Sequence, residues 1–238
     1  MTTPLERMTH SFVYRIPSPY PHTSRVSVVN HYSAFRELSP TTIADCLTRD
    51  RIMDATIRPI WGGVPRVAGP VFTVRCGVGD NLMLHAAIYR APAGSIIVVR
   101  AADVDFALAG GNVCATAQKN GIAAFVLDGA VRDVAEIRAL GFPVFARAVI
   151  PFAGAKKFVS PLNETISCGG VNVAPLDVVI ADEEGVVVVP HADQHAVLRA
   201  ATERAAADAA QSLEVWELKH RRRVAELLGD EQHFPSGA

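Results

Sequence analysis

Short apolar runs alternate with helical patterns through the middle of the chain. The runs predict buried strands, because each is strand-sized and ends at turn residues. Between them, apolar residues recur at the spacing of amphipathic helices. The predicted order is strand 71–76, helix 81–89, strand 95–99, helix 111–119, strand 123–127, helix 133–140 and strand 143–147. This alternation predicts an α/β layer with parallel strands.

The pattern changes after residue 160. Four short apolar segments follow one another, at 165–168, 170–173, 177–181 and 186–189, with Gly and Asp in the turns between them. These connections leave no room for helices, so the segments predict further short strands. We therefore expect a parallel α/β part joined to an antiparallel β part.

Both ends of the chain differ from this body. Residues 1–35 contain four prolines and show no clear periodicity, which predicts an extended arm. Ser39 and Pro40 then supply a capping residue and a first-turn proline, so a helix is expected to begin there. We divide the chain into this arm, a body at 36–190 and a C-terminal helical region at 191–238.

The C-terminal region has an Ala-rich helical pattern from about His191 to Leu228. A single unbroken helix of this length would run about 57 Å, which is more than a domain of this size can cover. Its Glu and Arg residues, including those around Lys219–Arg223, predict either a solvated face or a helix that lies across another subunit of an oligomer.

Composition supports a globular protein and limits its partners. The 238 residues are 50% hydrophobic and 20% charged, which suits the core of one large domain. The formal net charge of −1 gives no general attraction to nucleic acid or acidic membranes. No apolar run reaches the roughly 20 residues that cross a bilayer, and the first residues lack the pattern of a signal peptide. We therefore expect a cytoplasmic protein with no membrane or nucleic-acid partner.

Several common motifs are missing from the sequence. The cysteines at 46, 76, 114 and 168 are too widely spaced for a zinc or redox pair, so buried reduced thiols are expected. The sequence has no GxxxxGK[ST], HExxH or GxSxG motif, and Gly77–Leu82 lacks the third glycine of a dinucleotide fingerprint. ATPase, zinc protease, serine hydrolase and Rossmann dehydrogenase activities are all disfavoured.

The segment Leu127-Asp-Gly-Ala-Val-Arg-Asp133 carries the strongest chemical signal. A predicted buried strand runs into a turn that bears Asp128, Arg132 and Asp133 before the next helix. Ligands commonly bind at the carboxyl ends of strands in α/β sheets. In one interpretation the aspartates cap the turn and helix while Arg132 pairs with one of them. In the other, a carboxylate holds a hard divalent ion beside a guanidinium that binds a ligand carboxylate.

Two further segments place polar groups at helix starts. Gly110 and Gly111 open a helix whose free N–H groups could bind an anion, or they form a turn that needs unusual dihedral angles. Asp80 and Asn81 are expected to cap a helix or to contact a ligand. His85 has the spacing of a core residue and is also a candidate ligand contact.

Five ordered motifs resemble the RraA-like family, which includes class II pyruvate aldolases acting on 4-hydroxy-4-methyl-2-oxoglutarate and 4-carboxy-4-hydroxy-2-oxoadipate. The resemblance runs from about Leu38 to Asp208. The motifs are Gly79-Asp-Asn-Leu-Met-Leu-His85, Gly111-Asn-Val-Cys-Ala-Thr-Ala117, Asp128-Gly-Ala-Val-Arg-Asp133, Gly141-Phe-Pro-Val-Phe145 and Ala181-Asp-Glu-Glu-Gly-Val-Val-Val-Val189. The resemblance implies a mixed α/β fold, a layered ββα sandwich similar to swivelling phosphohistidine domains. It also implies homotrimers or homohexamers with sites between subunits.

The same resemblance implies roles for individual residues. It implies a Mg²⁺ or Mn²⁺ ion held largely through water, with Asp133 as the direct ligand. Arg132 matches the residue that binds the pyruvate moiety and stabilises its enolate. The other expected substrate contacts are backbone amides at the start of the helix 111–119 and two side chains from the first motif: Gly111, Val113, Cys114, Asn81 and His85.

Two expected catalytic positions depart from the aldolase pattern. Asn112 stands where the aldolases carry an acidic residue that positions the water needed to deprotonate the substrate hydroxyl, and an amide cannot take a proton near pH 7. Asp208 stands where a longer glutamate from a neighbour's C-terminal helix reaches the metal-bound waters.

These departures affect two reactions differently. Retro-aldol cleavage must remove a hydroxyl proton, and a lost general base typically costs about 10²- to 10⁴-fold in rate. Decarboxylation of oxaloacetate needs no such base. We therefore expect a lyase that forms pyruvate enolate from a small 2-oxo dicarboxylic or tricarboxylic acid. Its activity is weighted toward decarboxylation, or toward an aldol substrate that supplies its own base.

A non-catalytic regulator is the alternative class, because the family also covers proteins that bind and inhibit a ribonuclease. The pair Arg132 and Asp133 favours the enzyme, whereas Asn112 favours the regulator.

Overall fold

Strands and helices alternate through residues 32–228, the part of the chain that the computed structural model describes. The strands are β1 (Arg58–Pro59), β2 (Val67–Arg75), β3 (Ile96–Arg100), β4 (Ala107–Ala109), β5 (Ala124–Val131), β6 (Val144–Val149), β7 (Ile166–Cys168), β8 (Val171–Val173), β9 (Val178–Asp182) and β10 (Gly185–Val189). The helices are α1 (Pro40–Ala44), α2 (Leu82–Ile88), α3 (Gly111–Lys119), α4 (Val134–Leu140), α5 (Gln194–Ala209) and α6 (Leu213–Leu228). Arg49–Arg51 and His191–Asp193 form 3₁₀ helices.

The long strand β2 joins the two predicted parts into one sheet. The strand order is β1-β6-β5-β3-β2-β9-β10, and β4 pairs with β5 beside this path. Val71–Arg75 of β2 pair in parallel with β3, whereas Val67–Pro70 pair antiparallel with β9. The parallel and antiparallel parts are therefore two regions of a single mixed sheet.

The edges of this sheet approach each other, so that it nearly closes. The amide of Met53 in the loop before β1 donates to the carbonyl of Val186 in β10 over 3.0 Å. Close by, Arg58 Nη1 donates to the carbonyl oxygen of Glu184 over 3.3 Å.

Apolar side chains cover both faces of the central strands, which explains why those strands read as continuous apolar runs. On one face, residues such as Ile97 and Phe125 pack against helices α2, α3 and α4. On the other face, Val98 and Val126 pack with the β7–β8 hairpin and with β9 and β10. The expected layered mixed α/β fold is thus confirmed.

The N-terminal boundary of the body lies earlier than expected. Residues 32–36 form a helical turn, and Phe35 is fully buried in a cluster with α1, α5, β9 and β10. Residues 32–35 of the predicted arm therefore belong to the body, because Phe35 is part of its hydrophobic core. Residues 1–31 of the arm lie outside the described residues.

The C-terminal helix is broken, in contrast to the single helix considered from the sequence. The break lies between α5 and α6, where Ser212 caps the second helix by accepting a hydrogen bond from the amide of Val215 over 3.4 Å. Helix α6 has no buried residue. Within the described part of the chain, no helix is long and apolar enough to cross a membrane.

The four cysteines are free thiols, as expected from their spacing. Cys76, Cys114 and Cys168 are buried, and Cys46 is half-buried. Burial raises the pKa of Cys76 to about 11, and burial together with the charge of Asp133 raises the pKa of Cys114 to about 12. These two thiols stay protonated near neutral pH, so neither supplies a nucleophile.

Strand β5 extends past the predicted end, and this corrects the expected position of Asp128. The strand continues to Val131 with a register shift between Leu127 and Ala130, so Asp128 lies within it and not in a turn. Its carboxylate accepts hydrogen bonds from Arg147 Nε in β6 and, over 2.7 Å, from the amide of Gly169 in the β7–β8 turn. Asp128 therefore connects three strand segments.

Replacement of Arg147 by methionine tests this connection. Arg147→Met would leave the mostly buried Asp128 carboxylate without its cation, so we expect a loss of about 1–3 kcal/mol in the free energy of unfolding. Arg138→Met is the matched control, because Arg138 is exposed and forms no salt bridge with the described residues; its effect should stay within about 0.5 kcal/mol. Equal urea unfolding midpoints for the two variants would contradict the assignment.

Candidate active site at the carboxyl ends of β4 and β5

A small polar cavity lies where β4 and β5 end. It is bounded by the start of α3, the start of α2 and the segment that follows β6, and its volume is about 80 Å³. Sites for drug-sized ligands usually have volumes of about 300–1,000 Å³, so this cavity suits a smaller molecule. Its polar side chains are Asn81, His85, Asn112, Arg132, Asp133 and Lys156. The fold therefore brings together residues from three of the predicted motifs.

Asp133 adopts a backbone conformation that is rare for a residue with a side chain. Its φ of 59° and ψ of 42° lie in the left-handed region, which costs an L-residue about 1–2 kcal/mol. Although Asp133 precedes α4, its carboxylate does not cap that helix. Instead, Oδ2 accepts a hydrogen bond from the amide of Gly111 over 3.1 Å and lies 3.5 Å from Arg132 Nε. The strained backbone thus directs the carboxylate toward α3 and the cavity.

Gly110 and Gly111 lie in close contact with side chains of the turn between β5 and α4 and of the first turn of α4. A Cβ atom on Gly110 would lie 2.3 Å from Asp133 Oδ2, and one on Gly111 would lie 1.9 Å from Glu136 Oε2. Neither glycine has a positive φ, so the alternative explanation by unusual dihedral angles is wrong. The absence of side chains lets the β5–α4 turn lie against the first turn of α3.

The first turn of α3 offers free amides to the cavity. Within residues 32–228, the N–H groups of Asn112 and Val113 have no hydrogen-bond acceptor, while that of Gly111 is taken by Asp133. The N–H of Cys114 donates to the carbonyl of Gly110 over 3.0 Å, so the expectation that it receives a substrate carboxylate is corrected. Two free amides at a helix N-terminus can bind an anion.

The two positions that depart from the aldolase pattern lie in different places. Asn112 is exposed and lines the cavity beside Arg132. Asp208 lies on α5 with its side chain 67% exposed, close to Arg204, and it does not line the cavity of the same chain. Its expected approach from a neighbouring subunit stays a prediction.

Asn81 and His85 line the cavity with polar atoms that have no partner. Asn81 is buried; its Nδ2 donates to the carbonyl of Ala107 over 3.3 Å, while its Oδ1 accepts no hydrogen bond from the described residues. The Nε2 atom of His85 is likewise buried and unpaired. Burial, and then the charge of Lys156, lower the pKa of His85 against the opposing effect of Asp80. The histidine is therefore neutral near pH 7.

Asp80 caps helix α2 and also binds the segment that follows β6. Its Oδ1 accepts a hydrogen bond from the amide of Leu82 at the start of α2, and its Oδ2 accepts hydrogen bonds from the amides of Lys157 and Phe158. Burial raises the pKa of this carboxyl, but these three backbone donors and Lys156 outweigh burial, and the net pKa is below the ordinary value. Asp80 stays charged and connects α2 to the segment after β6.

Two cavity neighbours are absent from the sequence prediction. Glu136, in the first turn of α4, lies against Gly111, and its position three residues after Asp133 is a typical capping pattern that could have revealed it. Lys156 belongs to a segment without hydrophobic periodicity, so no local pattern indicates its role.

The cavity residues suit one class of metal ion. Among residues 32–228, no three His, Cys, Asp or Glu side chains are arranged to hold an ion. Asp133 nevertheless presents a partly exposed carboxylate to the cavity, and only its Oδ2 is engaged by described residues. Mg²⁺ typically keeps several waters and uses one or two protein carboxylates plus the substrate. The donor set therefore fits Mg²⁺, or the similarly oxygen-seeking Mn²⁺, and does not fit an all-protein zinc site.

Comparison with known proteins gives consistent matches. The family model named RraA-like, described as Aldolase/RraA, matches residues 40–188. A protein of Halalkalibacterium halodurans, provisionally named a 4-hydroxy-4-methyl-2-oxoglutarate aldolase, is 38% identical over 184 residues, which cover 77% of this chain and 87% of the relative.

Solved structures share the fold. The structure of the RNA-processing inhibitor RraA from Thermus thermophilus matches with a TM-score of 0.57 and 29% identity, over 63% of this chain and 91% of the other. RraAS2 of Streptomyces coelicolor, described as an unusual member of the RNase ES inhibitor family, matches with a TM-score of 0.63 and 23% identity, over 82% of this chain and 98% of the other. At 23% identity, the match to RraAS2 is evidence for a shared fold only.

The titration of His85 tests the electrostatics of the cavity. We expect its ring to titrate below 6.5 in an NMR pH series, with the resonance assigned through His85→Gln. Lys156→Met should raise this pKa by removing a nearby positive charge, whereas Lys157→Met should not. Because the unfolded chain binds the proton more readily, the stability contributed by neutral His85 is lost as the pH falls below about 6.5. A His85 pKa above 6.5 would refute this picture.

Proposed function

The chain belongs to the RraA-like family, and on that premise we propose that it is a divalent-metal-dependent carbon–carbon lyase that forms pyruvate. Its substrates would be small 4-hydroxy-2-oxo acids, cleaved by retro-aldol reaction, or oxaloacetate, which loses CO₂. The relatives named as aldolases support the first reaction, and the residue at position 112 supports the second.

One observation carries this proposal: a guanidinium, a carboxylate and two free helix amides line a single small cavity. Arg132 and Asp133 follow β5 directly, and the amides of Asn112 and Val113 come from the facing turn of α3. A 2-oxo carboxylate needs donors on its carboxylate and positive charge near its ketone oxygen. The cavity offers both within one compact group of residues.

Arg132 would act on the substrate in two stages. Its side chain is partly exposed, and its only described salt bridge is the long contact to Asp133, so its guanidinium can also donate to a ligand. In the ground state it binds the 2-oxo acid end, and as the carbon–carbon bond breaks it stabilises the enolate oxygen. Fixed positive charge is most useful where negative charge develops in the transition state.

Asp133 would hold the divalent ion, and Glu136 offers a further carboxylate beside Gly111. When bound, such an ion acts as a Lewis acid on the 2-oxo group. The contribution of the chain is the orientation of Asp133, which its hydrogen bond to Gly111 and its left-handed backbone keep fixed. Preorganisation of this kind reduces the reorganisation needed during the reaction.

Asn112 would determine the balance between the two reactions. Its amide lines the cavity but cannot accept a proton at neutral pH, so it cannot help to deprotonate a substrate hydroxyl through water. Decarboxylation has no such requirement, because the departing CO₂ leaves its electrons on the enolate. We therefore expect oxaloacetate to be the better substrate.

A homo-oligomer would complete the site. Helix α6 has no buried residue in the single chain and exposes Leu213, Trp216 and Leu218. Exposed apolar side chains of this kind are stabilised when another surface covers them. A second copy of the chain that packs on α6 could bring Asp208 to the cavity of its neighbour, as the family resemblance implies.

Regulation of a ribonuclease is the second candidate function. The similarity to the RNA-processing inhibitor RraA favours it, and so does the lack of an acidic residue at position 112. A regulator has no need for a metal-dependent cavity that binds 2-oxo acids. Binding of oxalate, a mimic of the pyruvate enolate, would therefore favour the lyase if it requires Mg²⁺.

Pyruvate release tests the lyase directly. Coupled to lactate dehydrogenase, the protein should release pyruvate from oxaloacetate with Mg²⁺ and lose this activity in EDTA. Arg132→Met should lower kcat/KM by about 10²- to 10³-fold, the range for loss of one stabilising donor, while Arg138→Met should be unchanged. The absence of metal-dependent turnover of both oxaloacetate and 4-hydroxy-4-methyl-2-oxoglutarate would overturn the proposal.

Substitution at position 112 tests the balance between reactions. Asn112→Asp should raise the ratio of retro-aldol cleavage to decarboxylation by at least about tenfold, because it supplies the missing general base. Asn112→Ser is the control, since it changes the side chain without adding a carboxylate. If Asn112→Asp leaves the ratio unchanged, Asn112 does not determine the reaction.

A further inference from the structure

Four neighbouring strands carry a row of charged residues at the same height in the sheet. Arg75 of β2 pairs in register with Arg100 of β3, and Arg100 pairs in register with Asp128 of β5. Arg147 of β6 completes the row through its salt bridge to Asp128. The row therefore holds three arginines and one aspartate, and two of the arginines, Arg75 and Arg100, are direct neighbours. These two residues are called the arginine pair below.

The arginine pair lies on the face of the sheet that is opposite to the helices. Side chains alternate between the two faces along a strand. Val71 packs on the face that contacts the β7–β8 hairpin, and Arg75 is four positions further along the same strand. Val98 packs on that face too, two positions before Arg100. The cavity between the starts of α2 and α3 is on the helix side, so the arginine pair is separate from the candidate active site.

Neither guanidinium of the arginine pair is in contact with a carboxylate of residues 32–228. Both side chains are exposed, and neither forms a hydrogen bond or a salt bridge with that part of the chain. Asp128 stands beside Arg100, but both of its oxygens are engaged elsewhere. Oδ1 accepts from Arg147 Nε, and Oδ2 accepts from the amide of Gly169 over 2.7 Å. The two exposed guanidinium groups therefore keep all of their donors available.

The outer edge of β2 supplies no carboxylate to the pair either. Beyond Pro70 this edge is covered by the segment that precedes β7. The amide of Asn163 donates to the carbonyl of Thr73 over 2.9 Å, and the hydroxyl of Ser160 donates to the carbonyl of Arg75 over 2.9 Å. Glu164 belongs to the same segment, and within the described structure it forms no salt bridge. The backbone of β2 is thus held on both sides where Arg75 leaves it.

Like charges that face each other on neighbouring strands destabilise a sheet. Because such strands lie about 4.8 Å apart, both guanidinium groups can reach a single anion between them. A guanidinium donates two parallel hydrogen bonds to a phosphate or carboxylate group. A phosphate monoester carries nearly two negative charges near pH 7 and three acceptor oxygens. It therefore matches two arginines better than a carboxylate does, since a carboxylate has one charge and two oxygens.

We propose that Arg75 and Arg100 form a binding site for a phosphoryl group on the face of the sheet opposite to the candidate active site. The ligand is inorganic phosphate or the phosphate group of a phosphomonoester. Its negative charge would relieve the repulsion between the two arginines and so stabilise the folded chain. This inference goes beyond the proposed lyase and uses no residue of the cavity.

Urea unfolding in the presence of phosphate tests the site. The protein carries Arg132→Met throughout, so that anion binding in the cavity does not contribute. Sodium chloride keeps the ionic strength constant, because salt alone screens the repulsion between the arginines. Phosphate should raise the urea midpoint, as a ligand that binds only the folded chain does. Adding Arg75→Met or Arg100→Met should weaken the apparent phosphate affinity at least about tenfold, whereas adding Arg138→Met, a change of another exposed arginine, should not.

A charge reversal provides a second test with the opposite sign. Arg75→Glu places opposite charges in register on β2 and β3, and such pairs stabilise a sheet. In phosphate-free buffer this variant should unfold at a higher urea concentration than the protein with Arg75. Its midpoint should then no longer respond to phosphate, because the site has lost one of its two cations.

A phosphate response no larger than that of chloride, or an equal response in the Arg75 and Arg100 variants, would overturn the site. Light scattering adds a further check. If Arg75→Glu changes the mass of the protein in solution, the arginine pair belongs to a contact between copies of the chain, and the proposal is wrong. Glycerol 3-phosphate, used in place of inorganic phosphate, identifies the source of the phosphoryl group. Tighter binding of this ester would support a phosphorylated metabolite, and tighter binding of phosphate would support the free ion.

Discussion

The contact between the end of β5 and the first turn of α3 organises the whole site. It places the carboxylate of Asp133 on the amide of Gly111, and glycine at positions 110 and 111 leaves room for the side chains of Asp133 and Glu136. The strain in the Asp133 backbone and the loss of two side chains are costs that the surrounding core must offset. In return, an acid, a guanidinium and free helix amides meet at a position that neither element could form alone.

Much of the fold follows from local patterns, since strands buried on both faces show continuous apolar runs and helices on one layer show a repeating apolar face. The partners of each strand in the sheet are harder to predict from the sequence. Nothing local shows that β2 pairs with β3 along one half and with β9 along the other, because this depends on where two distant segments meet. The break after α5 is also hard to predict, because Ser212 lies within a stretch whose composition otherwise favours helix.

The site residues also fall into two groups, those that the local sequence predicts and those that depend on distant contacts. Arg132, Asp133 and the two glycines are close in sequence to a strand end or a helix start, so their place at the site could be predicted from position. Lys156 could not, because its segment reaches the cavity through hydrogen bonds to residues about 75 positions away. The position of Asp128 within β5 could not be predicted either, because the register shift in β5 depends on how this strand pairs with β6. Any role for Asp208 depends on a second chain.

Asn112 has a consequence for how this scaffold can change over evolutionary time. Its side chain is exposed, and within the described structure only its backbone carbonyl is hydrogen-bonded, to the hydroxyl of Thr116. At positions 110 and 111, any side chain would displace side-chain atoms of Asp133, Arg132 or Glu136. At position 112, by contrast, a single-base change converts asparagine to aspartate without disturbing any packing. Descendants of one ancestral fold could therefore gain or lose an acid at the reaction centre while the anion-binding framework stays intact.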